Sequence, residues 1–273
     1  MIARTSKWQS ERSDTMLDQG SYSSPLPPQG KGEAAERALR SAMVHCVLAP
    51  GERLSEVELA REFGLGRGAV RAALARLQGS GFVSSSARSG WAVTPVSAGE
   101  IRELSAARRH LEPLLCSVQL DDVERMHLRS LAEMHAALTH RQELGGDMVP
   151  TIRRCEREIL ESLSARLGMP IIAGWLTDLW DRSIRLVNFF EANAPVKLVP
   201  ANRSRFVDAF IEGRKADALN HLTSANAALE TYLLDRFLES EAMVGTRSTR
   251  RSTEKEKPLA RTARKQASGL RTS

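Results

Sequence analysis

Apolar positions along the chain fall into two textures. In the first block, about Glu33 to Val96, "EAAERALRSAMVHCVL" sets Leu39, Ala42, Met43, Cys46 and Val47 on one helical stripe. Ala49-Pro50-Gly51 ends that helix, and Ser55 followed by Glu58 forms a capping box that opens a short second one. "FGLG" at 63–66 turns the chain, after which Val70, Ala73, Leu74 and Leu77 mark a third amphipathic helix. Beyond Gly79 and Gly81 the period changes. Phe82-Val83 and Trp91–Val93 are β-prone runs around a polar, Gly-containing loop, which predicts a small hairpin.

The second block, about Ala98 to Ala242, is helical nearly throughout. The predicted helices are Ala98–Val118, Asp121–Leu144, Thr151–Arg166, Ile171–Glu191, Asn202–Glu212 and Lys215–Ser240. "GGDMVP", "GMP" and "ANAPVKLVP" separate them. The expected fold is mostly α: an N-terminal winged helix-turn-helix over 33–96, then an all-α helical bundle over 97–242. Residues 1–32 are polar and rich in Ser, Pro and Gly, which predicts a flexible arm; residues 243–273 predict a basic disordered tail.

Length and composition fit this picture. The 273 residues suffice for two domains, and 42% hydrophobic with 26% charged residues describes a soluble globular chain. The net charge of +6 is concentrated at the end: residues 243–273 carry nine basic side chains against two acidic ones. The basic balance is therefore a property of the tail, which could add non-specific DNA affinity through counterion release or be a solvated extension. Cys46, Cys116 and Cys155 are far apart and form no CxxC pair, so free thiols in a reducing compartment are expected. No apolar run reaches membrane-span length and the N-terminus has no apolar signal core. A cytoplasmic protein with no membrane partner follows. There is no Gly-rich phosphate loop, nucleophile elbow or HExxH, so the chain is not expected to be an enzyme.

The third helix must enter a major groove about 12 Å wide. Gly66, Gly68, Ala69 and Ala72 keep its leading face thin, and Arg67 and Arg71 project from one side at i and i+4. Each could pair with a guanine or hold a phosphate. Arg88 and Gly90, in the hairpin loop, suit a wing that follows the minor groove or backbone. An Arg/Ala-rich helix can also be an ordinary solvated face, but its place between a helix-turn and a wing favours DNA. Two half-sites about a turn apart then imply a homodimer on a double-stranded operator.

"LAPGERLSEVELAREFGLGRGAVRAALARLQGSGFV" closely resembles the GntR-type bacterial transcriptional regulators. Pro50-Gly51, Leu54, Glu56, Leu59-Ala60, Arg67, Val70-Arg71, Leu74, Leu77, Gly81, Val83, Gly90 and Val93 fall in register with that pattern. The resemblance implies that Arg67 and Arg71 contact DNA and that Gly90 lies in the wing tip. Three positions depart from it. Gly66 replaces a Ser or Thr, which removes the side chain of an N-cap and a possible phosphate contact. Ala72 replaces a Glu, and Val57 stands where some relatives carry a further Arg.

"EIRELSAARRHLEPLLCSVQL" resembles the first helix of the FCD effector domain, with Arg108 and Glu112 matching. That resemblance implies a helical bundle for a small organic acid, often with a divalent metal held by an Asp and three His. Here Glu156 stands for the Asp, Leu160 and Arg203 for two His, and Ala225 or Asn226 for the third. Such a set lacks the anionic and imidazole ligands a metal needs, so neither metal nor other cofactor is expected. Arg203, with Arg108, is instead expected to bind an anionic effector, Glu156 orienting one of them and Asn226 completing the set. Alternatively Arg203 merely pairs with Glu156, the pocket is vestigial, and the helical block only dimerises. The function expected is repression relieved by a metabolite, transmitted through the linker at 95–100. His127, His135 and His140 are expected on a solvated helix face, and Trp175 and Trp180 in the bundle core.

Overall fold

The computed structural model describes residues 29–86, 90–143, 147–193 and 196–255. Most of the expected arm, the tail beyond 255, and Arg88 in the wing lie outside the described residues.

The N-terminal unit runs α1 (Gln29–Val44), β1 (Arg53–Leu54), α2 (Glu56–Glu62), α3 (Arg67–Gly79), β2 (Val83–Ser86) and β3 (Gly90–Val93). The strands form one antiparallel sheet in the order β1-β3-β2, with Leu54 opposite Trp91 and Val83 opposite Val93. Two residues are too few for alternation to register, which is why β1 was not foreseen. Leu39, Met43, Val70, Leu74, Leu77 and Val93 are fully buried at the centre.

The first helix stops at Val44, short of the predicted stripe. Cys46 adopts φ 56°, its amide donates to the Met43 carbonyl, and the Val47 amide reaches back to Ala42. This is a Schellman end formed without glycine. It turns Val47 outward, leaving it 71% exposed, and seats Cys46 Sγ against the Arg185 carbonyl at 3.5 Å.

The second unit runs α4 (Ala98–Leu111), a 3-10 turn (Glu112–Ser117), α5 (Asp122–Glu143), α6 (Val149–Ser164), α7 (Pro170–Asn193), α8 (Arg203–Ile211) and α9 (Lys215–Lys255). Sequence periodicity merged α4 with the turn. Pro113 has no amide to continue the α-helical ladder, so the chain tightens there. Conversely, α9 continues past Ser240 into the stretch expected as tail. Gly245 costs a helix only about 1 kcal/mol, and the next residue that forbids one is Pro258. The main bundle core gathers Leu128, Ile159, Leu163, Leu176, Phe206 and Leu222, and a smaller one joins α4, α7 and α9 around Ile101, Leu186 and Leu233. No described helix is long and apolar enough to cross a membrane.

Helix α7 joins the two units. Arg40 of α1 pairs with Asp178 and Asp181. Arg185 is 1% exposed; it donates from Nη1 to the Thr94 carbonyl at 2.9 Å and from Nη2 to Glu100 at 2.8 Å. Arg182 donates to the Ser80 carbonyl. The guanidinium groups of Arg40, Arg182 and Arg185 lie 4.8, 5.3 and 5.9 Å from the Phe82 ring centre. A buried aromatic ring of the N-terminal unit is thus gripped by three cations, two of them from α7.

Candidate functional site

Ser55 caps α2, its Oγ accepting from the Glu58 amide at 3.4 Å. Gly66 precedes α3 without any side-chain cap, as its missing hydroxyl requires. Val70, Ala73, Leu74 and Leu77 bury the underside of α3, which leaves Arg67 and Gly68 exposed and Ala69 half-buried on the leading edge. Gly90 opens β3 with φ 69°, a backbone region that favours glycine.

Arg71 is not a free cation. Its Nε lies 3.1 and 3.0 Å from the two carboxylate oxygens of Glu56, and Nη2 lies 2.7 Å from Oε2. Glu56 Oε1 also accepts from Trp91 Nε1 at 3.2 Å. The Arg71 hydrogen bonds hold the Glu56 carboxyl below its ordinary value. One carboxylate therefore ties α2, α3 and β3 together, while the Arg71 side chain stays 69% exposed. Glu56 was not among the predicted site residues. Its partners lie 15 and 35 positions away on other elements, beyond any local spacing rule.

The second site is a cavity of about 270 Å³ in the bundle. Arg108, Glu156 and Arg203 line it together with Leu160, Trp180 and Asn188. Asn226 sits behind it, against Glu112. That glutamate, 0% exposed, is the centre of the cluster. Its Oε1 accepts from Arg108 Nε at 2.7 Å and Trp180 Nε1 at 2.8 Å, and its Oε2 accepts from Asn226 Nδ2 at 2.8 Å. Burial pushes the Glu112 carboxyl up, but the Arg108 and Arg203 charges and the Trp180 hydrogen bond outweigh it and hold the group low. Arg108 Nη1 also donates to Ser183 Oγ at 3.0 Å.

Arg203, buried at the start of α8, has Nε and Nη1 without a hydrogen-bond partner. Burial lowers its pKa, opposed by the nearby Glu112 and Glu156 carboxylates, and a guanidinium remains charged at neutral pH. The Arg203–Glu156 ion pair of the alternative reading does not form among the described residues; the two charges act on each other only through space. Glu156 Oε1 instead faces His135 Nε2 at 3.8 Å. His135 corrects a second expectation: His127 and His140 are exposed, but His135 is fully buried, and neither ring nitrogen has a hydrogen-bond partner. The signal was present, because Leu128, Leu131, Ala132 and His135 share one helical stripe. The two tryptophans also part: Trp180 is buried, but Trp175 is 55% exposed.

These donors do not fit a divalent cation. Glu156 offers one carboxylate, Leu160 is apolar, Arg203 is itself a cation, and the Asn226 amide oxygen adds only one neutral donor. Among the described residues no group of three or more His, Cys, Asp or Glu could hold a metal.

Comparison with known proteins places this geometry. Residues 31–93 match the profile of the bacterial regulatory proteins of the gntR family. The chain is 34% identical over 86 residues to the HTH-type transcriptional repressor RspR of Escherichia coli (strain K12), covering 32% of this chain and 38% of that protein. It is 31% identical over 125 residues to an uncharacterized HTH-type transcriptional regulator in the TAR-I ttuE-ttuC' intergenic region of Agrobacterium vitis, covering 43% and 72% respectively. The chain spans about two fifths of the length of the first curated relatives it matches. The solved structure of E. coli McbR/YncC shares the fold, with a TM-score of 0.62 at 22% identity over 76% of this chain and 98% of that one.

Proposed function

The chain belongs to the GntR family of bacterial regulatory proteins, and from that premise we propose a cytoplasmic, homodimeric transcription regulator, a repressor, controlled by a small anionic metabolite. In this reading α3 enters the major groove of a double-stranded operator, with Gly68 and Ala69 against the base edges. Arg67 and Arg71 make the contacts, and Gly90, with Arg88, follows the backbone from the wing. The observation that carries it is the exposed Arg67/Arg71 pair on a helix whose leading face is otherwise Gly and Ala. Enrichment of binding sites from random duplexes by the full-length protein tests it. Wild type should enrich a two-fold symmetric site, and Arg67→Ala/Arg71→Ala should enrich none. Equal enrichment by both proteins would refute the reading.

The bundle acts as an FCD-type sensor without its metal. Unpartnered Nε and Nη1 of a buried guanidinium, beside a half-open cavity, suit carboxylate oxygens. Such a ligand would lie against the Arg203 guanidinium with Arg108 beside it, Glu156 orienting one of the two arginines and Asn226 fixing Glu112 behind. Because α7 lines the cavity and grips the N-terminal unit, it supplies a route for the signal besides the linker at 95–100. Calorimetric titration with a panel of small carboxylates should find one that binds wild type and loses tenfold or more affinity in Arg203→Lys, which keeps the charge and removes the fork. A purely dimerising bundle predicts that no carboxylate binds or alters operator affinity.

A further inference from the structure

Arg67 and Arg71 lie one helical turn apart, yet their surroundings differ. Arg67 makes no ion pair among the described residues, and it is exposed at the first position of α3. Arg71 donates Nε–H and one Nη2–H to Glu56, which is held in turn by the indole N–H of Trp91. A guanidinium has five N–H donors in a fixed plane. With one edge committed to the carboxylate, the end edge formed by Nη1 and Nη2 remains available on a side chain that is 69% exposed.

Two consequences follow. The arginine cannot swing freely, because its plane is fixed by two anchored oxygens. Its charge is also compensated, so a phosphate approaching the pair gains little, whereas the neutral O6 and N7 acceptors of a guanine need direction more than net charge. Arg67, which makes no ion pair and feels the Glu56 charge only through space, has the opposite character, suited to a phosphate. From this geometry we infer that Glu56, anchored by Trp91, is a specificity-determining residue: it positions Arg71 end-on to read a guanine and withholds it from the phosphate backbone. The sheet register makes this possible, since Leu54 pairs with Trp91 and brings the start of α2 next to β3.

The inference rests on the proposed DNA-binding function, and the test separates the two. Site selection with wild-type full-length protein comes first; failure to enrich any sequence sinks the function itself. Given a site, Arg71→Ala identifies the base pair that depends on Arg71, and a guanine substitution there should cost wild type about tenfold or more. Glu56→Gln should reduce discrimination at that same base pair to below about threefold while raising affinity for unrelated duplex severalfold. In an Arg71→Ala background it should change discrimination there no further, because the two residues act through one contact. Arg67→Ala should weaken all sequences alike and lower the salt slope by about one. Should Glu56→Gln fail to fold, Trp91→Phe removes the anchoring N–H and should relax the same base pair. Full discrimination at that position in the folded variant, or relaxation at some other position, overturns the assignment.

Discussion

Asn188 Nδ2 donates to the backbone carbonyl of Val44 at 2.8 Å, and the same side chain lines the bundle cavity. One residue of α7 therefore touches both the end of the first helix in the N-terminal unit and the space proposed for the effector. Ile184, one turn earlier, also lines the cavity and packs on the N-terminal core. Asn188→Ala should bind a recognised carboxylate within about threefold of wild type but lose most of that ligand's effect on operator affinity. Fluorescence anisotropy of labelled operator, with and without ligand, measures the coupling as a ratio of affinities. An unchanged ratio would mean that the signal travels elsewhere.

Glu112 is the electrostatic keystone of the bundle. Glu112→Gln leaves Arg108 buried without its ion-pair partner and Arg203 with the Glu156 carboxylate alone, which should cost about 3–5 kcal/mol in denaturant unfolding at neutral pH. Its folded pKa lies below its unfolded value. The stabilisation is therefore complete above the unfolded value of about 4.3 and is lost as pH falls through the folded one. Melting temperatures from pH 7 to pH 3 should fall steeply for wild type and less steeply for the variant. Parallel acid limbs would count against the assignment.

Gly81 has φ 73°, and a Cβ there would lie 2.7 Å from Arg182 Nη2. Gly81→Ala should destabilise the protein by about 1–2 kcal/mol from the backbone alone, with the steric conflict added. Adding Arg182→Ala should remove the steric part and leave the backbone part. Chemical denaturation of the single and double variants separates the two.

The uncapped start of α3 is improvable. Nothing lies within 4 Å of a Cβ built on Gly66, and its backbone is extended, as a cap requires. Gly66→Ser should raise stability by a few tenths of a kcal/mol. Ser55→Ala, which deletes the existing cap of α2, should lower it by about 1 kcal/mol. A shifted denaturation midpoint reports each change.

Local chemistry was well read from sequence. The capping box, the three short helices, the hairpin and the six segments of the bundle all arise from spacings within a few residues, where side-chain period and backbone propensity act. Some misses were local, as at Pro113 and His135, and others occurred where a distant contact decided the outcome. Cys46 closes α1 against the Arg185 carbonyl, 139 positions away, and two residues of β1 become a strand only by pairing with β3.

The same division holds for function. Sequence by itself determined a thin, doubly cationic helix beside a wing, because residue type and local period suffice for it, whereas the placing of Arg203 at a metal-ligand position rested on the resemblance to FCD domains alone. Tertiary structure decided what those arginines do. It clamped Arg71 to Glu56 and left Arg203 facing a cavity. It also set Glu112 between Arg108, Trp180 and Asn226, of which the latter two lie 68 and 114 positions away. Charge partners in a folded chain are chosen by distance in space, and for residues so far apart along the chain only the packed core fixes that distance.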